Sequence, residues 1–177
     1  MKKHFFSIVI SFFFITSLSA NENKYIKDTL LKYNYGLIKM GLSGETQFFK
    51  EFVKKDVAMK LQVWFESWKF SNLTYVAKIN DLRFSPIVYN ENNATISTME
   101  NWTFAYVNLD TKDYALKPIN ILYQMNYTLQ KYGNKWKIIA IKHLKEEVLT
   151  DEKKHKFDFK PKKNSLKGDT TFAKNVE

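Results

Sequence analysis

The chain has 177 residues, a mass of 21.0 kDa, 28 Lys plus Arg against 18 Asp plus Glu, no cysteine and 16% aromatics. An apolar fraction of 45% excludes a disordered chain, and a mean hydropathy of -0.39 excludes a multi-span membrane protein. The net charge of +10 does not point to nucleic acid, because Arg83 is the only arginine, and base reading and bidentate phosphate clamping favour arginine.

Lys2 and Lys3 precede an apolar run from Phe5 to Leu18, which ends in Ser17-Leu18-Ser19-Ala20. This is the layout of a secretory signal peptide. The run is shorter than the roughly 20 apolar residues of a spanning helix. Residues 1–20 are therefore expected to be removed, leaving a mature chain that begins near Asn21 and no stable membrane span. The absence of cysteine excludes a lipoprotein attachment point and a disulfide framework, which suits a bacterial periplasm.

Ile26, Leu30, Tyr33, Leu37 and Met40 recur at steps of four, three, four and three. They predict a one-faced helix stopped by Gly41 and Gly44, within an N-terminal segment 21–45. A second stripe, Phe49, Phe52, Val53, Val57, Leu61, Trp64, Phe65 and Trp68, predicts a second helix that ends near Asn72. Both stripes read as core faces.

From Leu73 the period changes to two. Leu73, Tyr75, Ala77 and Ile79 predict a strand, and Leu82 to Tyr89, broken by Pro86, a second strand or edge segment. Bulky residues then alternate from Ala94 to Tyr106 in a strand long enough to require a bend or bulge. Ile119, Ile121, Tyr123, Met125, Tyr127 and Leu129 mark another strand, joined to the previous one by a loop around Asp110 to Pro118. Gly133-Asn134 turns the chain into Trp136 to Ile141. N-terminal helices followed by a long antiparallel sheet predict an α+β domain over residues 46–150 whose sheet is covered on one face. Residues 151–177 carry eight Lys against five acids and sparse apolar residues, which predicts a flexible Lys-rich tail able to dock on an anionic envelope surface.

The run Leu61-Gln62-Val63-Trp64-Phe65-Glu66-Ser67-Trp68, followed by Asn72-Leu73 and Tyr75, resembles the opening helix of the nuclear transport factor 2-like, or cystatin-like, cone fold. It is most similar to the version that accompanies bacterial peptidoglycan L,D-transpeptidases and carboxypeptidases. Tyr123 and Tyr127 followed by Gly133, Trp136, Lys137 and Ile138 resemble the last hairpin of many members, including the domain in chloroplast-division proteins. The resemblance covers about Phe48 to Leu144. It implies a curved sheet and helices around a cone that holds a ligand, a catalytic site or only side chains.

Enzymes of that family place an Asp or His inside the cone, and this chain offers little of that kind. His4 lies in the leader, His155 in the tail and His143 alone at the end of the last strand. No metal-ligand cluster, no cofactor motif and no nucleophile with a partnered base is expected. Glu100 shares a strand face with Trp102, Phe104 and Tyr106, so an inward-facing carboxylate among aromatics is the one acid–base candidate. The alternative is a Glu near the sheet end, exposed or satisfied by a Lys or a Tyr hydroxyl. Trp64, Trp68, Trp102, Tyr106, Tyr123 and Tyr127 are candidates for holding a ligand or partner. Of four Asn-x-Thr sequons, Asn93-Ala-Thr95 sits at a predicted turn within Glu91-Asn92-Asn93-Ala94-Thr95, making Asn93 the glycosylation candidate.

The leader, the aromatic surplus and the missing catalytic set favour an exported, non-catalytic binding module in the periplasm. Its expected partner is a periplasmic protein or cell-wall material, and a homodimer is among its expected assemblies. The alternative is a small-molecule carrier or isomerase- or hydratase-like enzyme turning on Glu100, with Tyr106, Tyr123 or Tyr127 as hydrogen-bond donors. A secretion-system periplasmic component is a weaker alternative. A side-chain-filled interior favours the first reading and an open apolar cavity the second.

Overall fold

The computed structural model describes residues 3–149, with side chains from Asn21 onward. The predicted tail and the leader's side chains lie outside the described residues. Helix α1 spans Lys3–Ser43, followed by a single 3-10 turn at Gln47–Glu51 and helix α2 at Lys55–Phe70. Strands β1 (Leu73–Phe84), β2 (Val88–Asn90), β3 (Asn93–Asn108), β4 (Tyr114–Tyr132) and β5 (Lys135–Leu149) complete the chain. All pairs are antiparallel, in the order β1-β3-β4-β5, with β2 pairing to β3 beyond the end of β1. This is the α+β architecture that the patterning predicts.

The apolar stripe of α1 turns Ile26, Leu30, Tyr33 and Met40 onto the sheet, where they are buried together with Phe49, Phe65, Tyr75, Tyr127, Trp136 and Ile138. Gly44, at φ 75°, ends the helix, and its N–H donates to the Met40 carbonyl at 2.8 Å. Gly41 does not stop the helix. It lies inside the last turn because a Cβ there would sit 2.3 Å from the Tyr75 carbonyl oxygen, so only glycine lets α1 cross so near β1. The start of the described side chains is also tied down. Glu22 accepts hydrogen bonds from Lys131 and Trp136, and the Tyr89 hydroxyl donates to Asn23. The Lys131 contact is the main reason that the Glu22 carboxyl is held below its ordinary range.

The second stripe forms two pieces where one helix was predicted. Between them Val53 makes a parallel bridge to Ile138; the Lys54 N–H donates to the Ile138 carbonyl, and the Ile138 N–H donates to the Phe52 carbonyl. Pairing with the edge of β5 thus replaces the helical bonds that Phe52 to Lys54 would have made. Asn72, at φ 58°, takes the left-handed conformation that turns α2 into β1.

The segment predicted as a strand from Leu82 is divided. Leu82 to Phe84 continue β1 past a bulge at Asn80, and β2 begins only at Val88. At the break the Ser85 N–H donates to the Ser97 carbonyl and the Ser97 N–H donates to the Ser85 hydroxyl, a side chain standing in for ladder bonds near Pro86. The bulges expected of the long central strand fall on its neighbours. The extra residues are Asn80 in β1, residues around Ala115 and Pro118 in β4, and Ile139 and Leu144 in β5. Because β4 starts at Tyr114, the predicted loop shrinks to residues 109–113, and β5 runs eight residues beyond Ile141. Each bulge resets which residues face the helices, so the covered face of β5 carries Trp136, Ile138, Ile141, His143, Glu146 and Val148.

Candidate functional site

The covered face of the sheet holds two groups of candidate residues. The inner group surrounds Glu100, which is only 3% exposed. Its Oε1 accepts from the Thr98 hydroxyl at 2.6 Å and the Tyr127 hydroxyl at 2.8 Å, and its Oε2 accepts from the Trp102 indole N–H at 2.8 Å. Strand periodicity places Thr98, Glu100 and Trp102 on one face of β3, and Tyr127 reaches them from β4. A buried carboxyl group is costly unless its lone pairs are used, and here they are used by protein. Glu100 faces inward among aromatics, as the first reading expects, and lies in the middle of β3, not near the sheet end; from the second reading only the tyrosine hydroxyl partner is seen. Burial, reinforced by the Glu100 charge, pushes the Tyr127 and Tyr33 phenols well above their ordinary range.

Large side chains fill the space around this group. Trp102, Tyr75, Tyr127, Phe49 and Phe65 are among the largest fully buried residues. Trp102 stacks on Phe104 at 5.4 Å, and Tyr33 meets both Phe49 and Tyr127 edge-on or tilted. A depression of about 360 Å³ lined by Asn23, Lys24, Lys27, Asp28, Leu31 and Phe84 includes none of the candidate residues.

The outer group lies toward the end of the sheet where β4 and β5 outrun the helices. Trp68 packs on Tyr106 with the rings tilted by 36° and their centroids 4.6 Å apart, and its indole N–H is buried without a hydrogen-bond partner. Phe104 meets Tyr123 edge-on, and Tyr123 meets His143 at 5.5 Å. Glu146 sits opposite Tyr123 in the β4–β5 ladder. Burial and then the Glu146 charge push the Tyr123 phenol up to about 12, and the same two causes raise Tyr106. His143 Nε2 lies 3.8 Å from Glu146. Around these aromatics Leu116, Ile119 and Val148 are exposed. Trp64 connects the two groups through Tyr75, with ring centroids 5.4 Å apart.

The structure thus separates the predicted residues. Glu100, Trp102 and Tyr127 are internal, whereas Trp68, Tyr106 and Tyr123 line an open aromatic wall. Sequence reasoning missed Thr98 and Tyr33 around Glu100, and His143 and Glu146 on the wall. Thr98 was signalled by the same alternation as Glu100; His143 and Glu146 were hidden by the two bulges in β5. Asn93 is the first residue of β3, paired to Asn90 and to Gln130, beside the turn at Glu91-Asn92. Among the described residues no cluster of His, Asp and Glu is arranged to hold a metal ion. No described helix is long and apolar enough to cross a membrane.

No family model matches the chain, and no curated protein matches it. Its fold is shared with solved structures. The intermembrane space region of the chloroplast protein ARC6 superimposes with a TM-score of 0.59 at 12% identity, over 68% of this chain and 95% of that one. At that identity the likeness is one of fold.

Proposed function

We propose that this protein is an exported, non-catalytic binding module of the nuclear transport factor 2-like type, which holds a protein partner or cell-wall material against the open aromatic wall. The observation that carries the reading is the state of Glu100: its two oxygens are occupied by Thr98, Tyr127 and Trp102 inside a packed interior. That leaves an acid–base role without an accessible proton acceptor. The wall offers what a partner needs, namely exposed apolar surface beside Trp68, Tyr106 and Tyr123, rimmed by His143 and Glu146. The leader supports an address outside the cytoplasm, on the cell-envelope side.

A photo-crosslinking residue at Leu116, exposed beside the wall, expressed in the source cell, tests the proposal. The expected result is a reproducible adduct with an envelope protein or with peptidoglycan fragments, lost when Trp68 is replaced by Ala. Recovery of only small-molecule adducts would favour the ligand-carrier reading instead.

A further inference from the structure

Strand β5 is an edge of the sheet, and most of that edge is unused. Apart from Val53, which bridges to Ile138, no described residue pairs with it on the side away from β4. Lys142 to Val148 are all exposed, Leu144 at 44% and Val148 at 55%. A long bare edge that carries apolar residues is a surface that folded proteins ordinarily cover. This edge also borders the aromatic wall, because His143, Glu146 and Val148 point to the covered face of the sheet and Lys145 and Glu147 to the outer one. Strand β5 ends at Leu149, so residues 150–177 start beside the bare edge.

We propose that residues 154–160 fold back on this edge as a sixth, antiparallel strand that closes the rim of the wall. In Lys154-His155-Lys156-Phe157-Asp158-Phe159-Lys160 rings alternate with charged residues, the period of a strand with one apolar face. A turn of two or four residues centred on Asp151-Glu152 sets Leu149 opposite Lys154. His155 then lies opposite Val148 and Phe157 opposite Glu146, so His155, Phe157 and Phe159 share the face of the wall. On the outer face Lys156 meets Glu147 and Asp158 meets Lys145. Glu147 and Lys145 already pair with each other at 3.3 Å, and the added strand completes a square in which every neighbour has the opposite sign. Neighbouring registers fail. A slip of one residue turns both Phe side chains to the outer face and lysines to the wall. A slip of two opposes Lys145 to Lys156 in one direction and to Lys160 in the other. Pro161, which has no N–H, ends the strand before the stretch of edge held by Val53. The turn is also a short tether, so the segment meets the edge at an effective concentration on the order of millimolar, which a second copy of the chain lacks in dilute solution. Lying along the rim, the strand competes with a partner for the wall. The competition, unlike the strand itself, rests on the binding reading given above.

The test of the strand uses the full chain and needs no partner. Hydrogen exchange should be slower by about tenfold or more at residues 154–160 and 145–149 than in a variant carrying Phe157→Ser and Phe159→Ser, in which the amides of β3 should stay protected. Because the chain has no cysteine, Glu147→Cys with Lys156→Cys gives a second readout: oxidation should join the two within one molecule, and Glu147→Cys with Phe157→Cys, on opposite faces, should not be joined. Deleting the residues after Thr150 should raise crosslinking from Leu116 by about threefold or more. Equal exchange in the parent and the double-serine variant, equal disulfide yields from the two cysteine pairs, or disulfide-linked dimers alone would overturn the strand. Crosslinking that is unchanged by the deletion would overturn the competition. No crosslinking with or without the segment would count against the binding reading, and the exchange and disulfide measurements would still decide the strand.

Discussion

Tyr127 on β4 donates a 2.8 Å hydrogen bond to Glu100 on β3, and both residues are buried. The contact ties the Glu100 carboxyl group into the packing between β3 and β4. Replacing the carboxyl group should cost stability. Glu100→Gln places an amide NH2 against a donor from Thr98, Tyr127 or Trp102, and a destabilisation of about 1–3 kcal/mol is expected in urea unfolding. Tyr127→Phe should cost about 1–2 kcal/mol by the same measurement. Partner capture at the aromatic wall should be unchanged in Tyr127→Phe at temperatures where the fold persists.

Gly41 and Gly133 should respond differently to alanine. A Cβ on Gly41 meets the Tyr75 carbonyl at 2.3 Å and the Tyr75 ring at 2.7 Å. Overpacking of about 1–3 kcal/mol should outweigh the helix propensity that alanine gains. Gly133, at φ 62°, has nothing within 4 Å of the added carbon. Its replacement should cost only the backbone strain of a left-handed alanine, about 1 kcal/mol. Thermal unfolding of the two variants checks the order.

Alkaline pH should unfold the protein through its tyrosines. The Tyr123 phenol is raised from 10.0 to about 12, so the folded state favours the neutral form. Its stabilisation is complete below the unfolded value of 10.0 and is lost as pH rises through about 12. Tyr33, Tyr75 and Tyr127 are shifted in the same direction by burial. Tyrosinate absorbance should therefore rise together with loss of the near-ultraviolet circular-dichroism signal. A titration in which these tyrosines ionise with the fold intact would contradict this.

Acid should loosen the other end of the molecule. Glu22 is held below its ordinary 4.5 mainly by Lys131, with Trp136 helping. Its contribution is present above 4.5 and fades as pH falls through the lower folded value. Hydrogen exchange should report earlier opening of residues near Asn23 and Ile26 than of β3, and Glu22→Gln should produce the same opening at neutral pH.

On the aromatic wall, Trp68→Ala and Tyr123→Ala should separate binding from folding. Neither residue belongs to the fully buried set, so each variant is expected to remain folded with modest losses in denaturant midpoint. Capture of the crosslinked partner should fall at least tenfold, the loss expected when an aromatic anchor is removed.

Much of the fold was legible because burial follows local period. The stripe of Ile26, Leu30, Tyr33 and Met40, the alternation from Ala94 to Tyr106 and the turn at Gly133-Asn134 each announce an element without reference to the rest of the chain. Glu100 was legible as a residue facing inward among aromatics for the same reason. The break at Phe52 to Lys54 was not, because an apolar helical stripe continues through it and the competing bonds come from Ile138, more than eighty residues away.

Local periodicity therefore established two helices before a long antiparallel sheet, since each depends on side chains close together in the chain. Position across the sheet depended on pairing between distant strands. The bulges at Ile139 and Leu144 turn His143 and Glu146 onto the wall beside Tyr123, and the β3–β4 register sets Tyr127, opposite Ile96, on the face from which its hydroxyl reaches Glu100. A one-residue slip in β4 or β5 would leave the sequence pattern of the elements unchanged and exchange the residues on the wall, because side chains alternate faces at every residue.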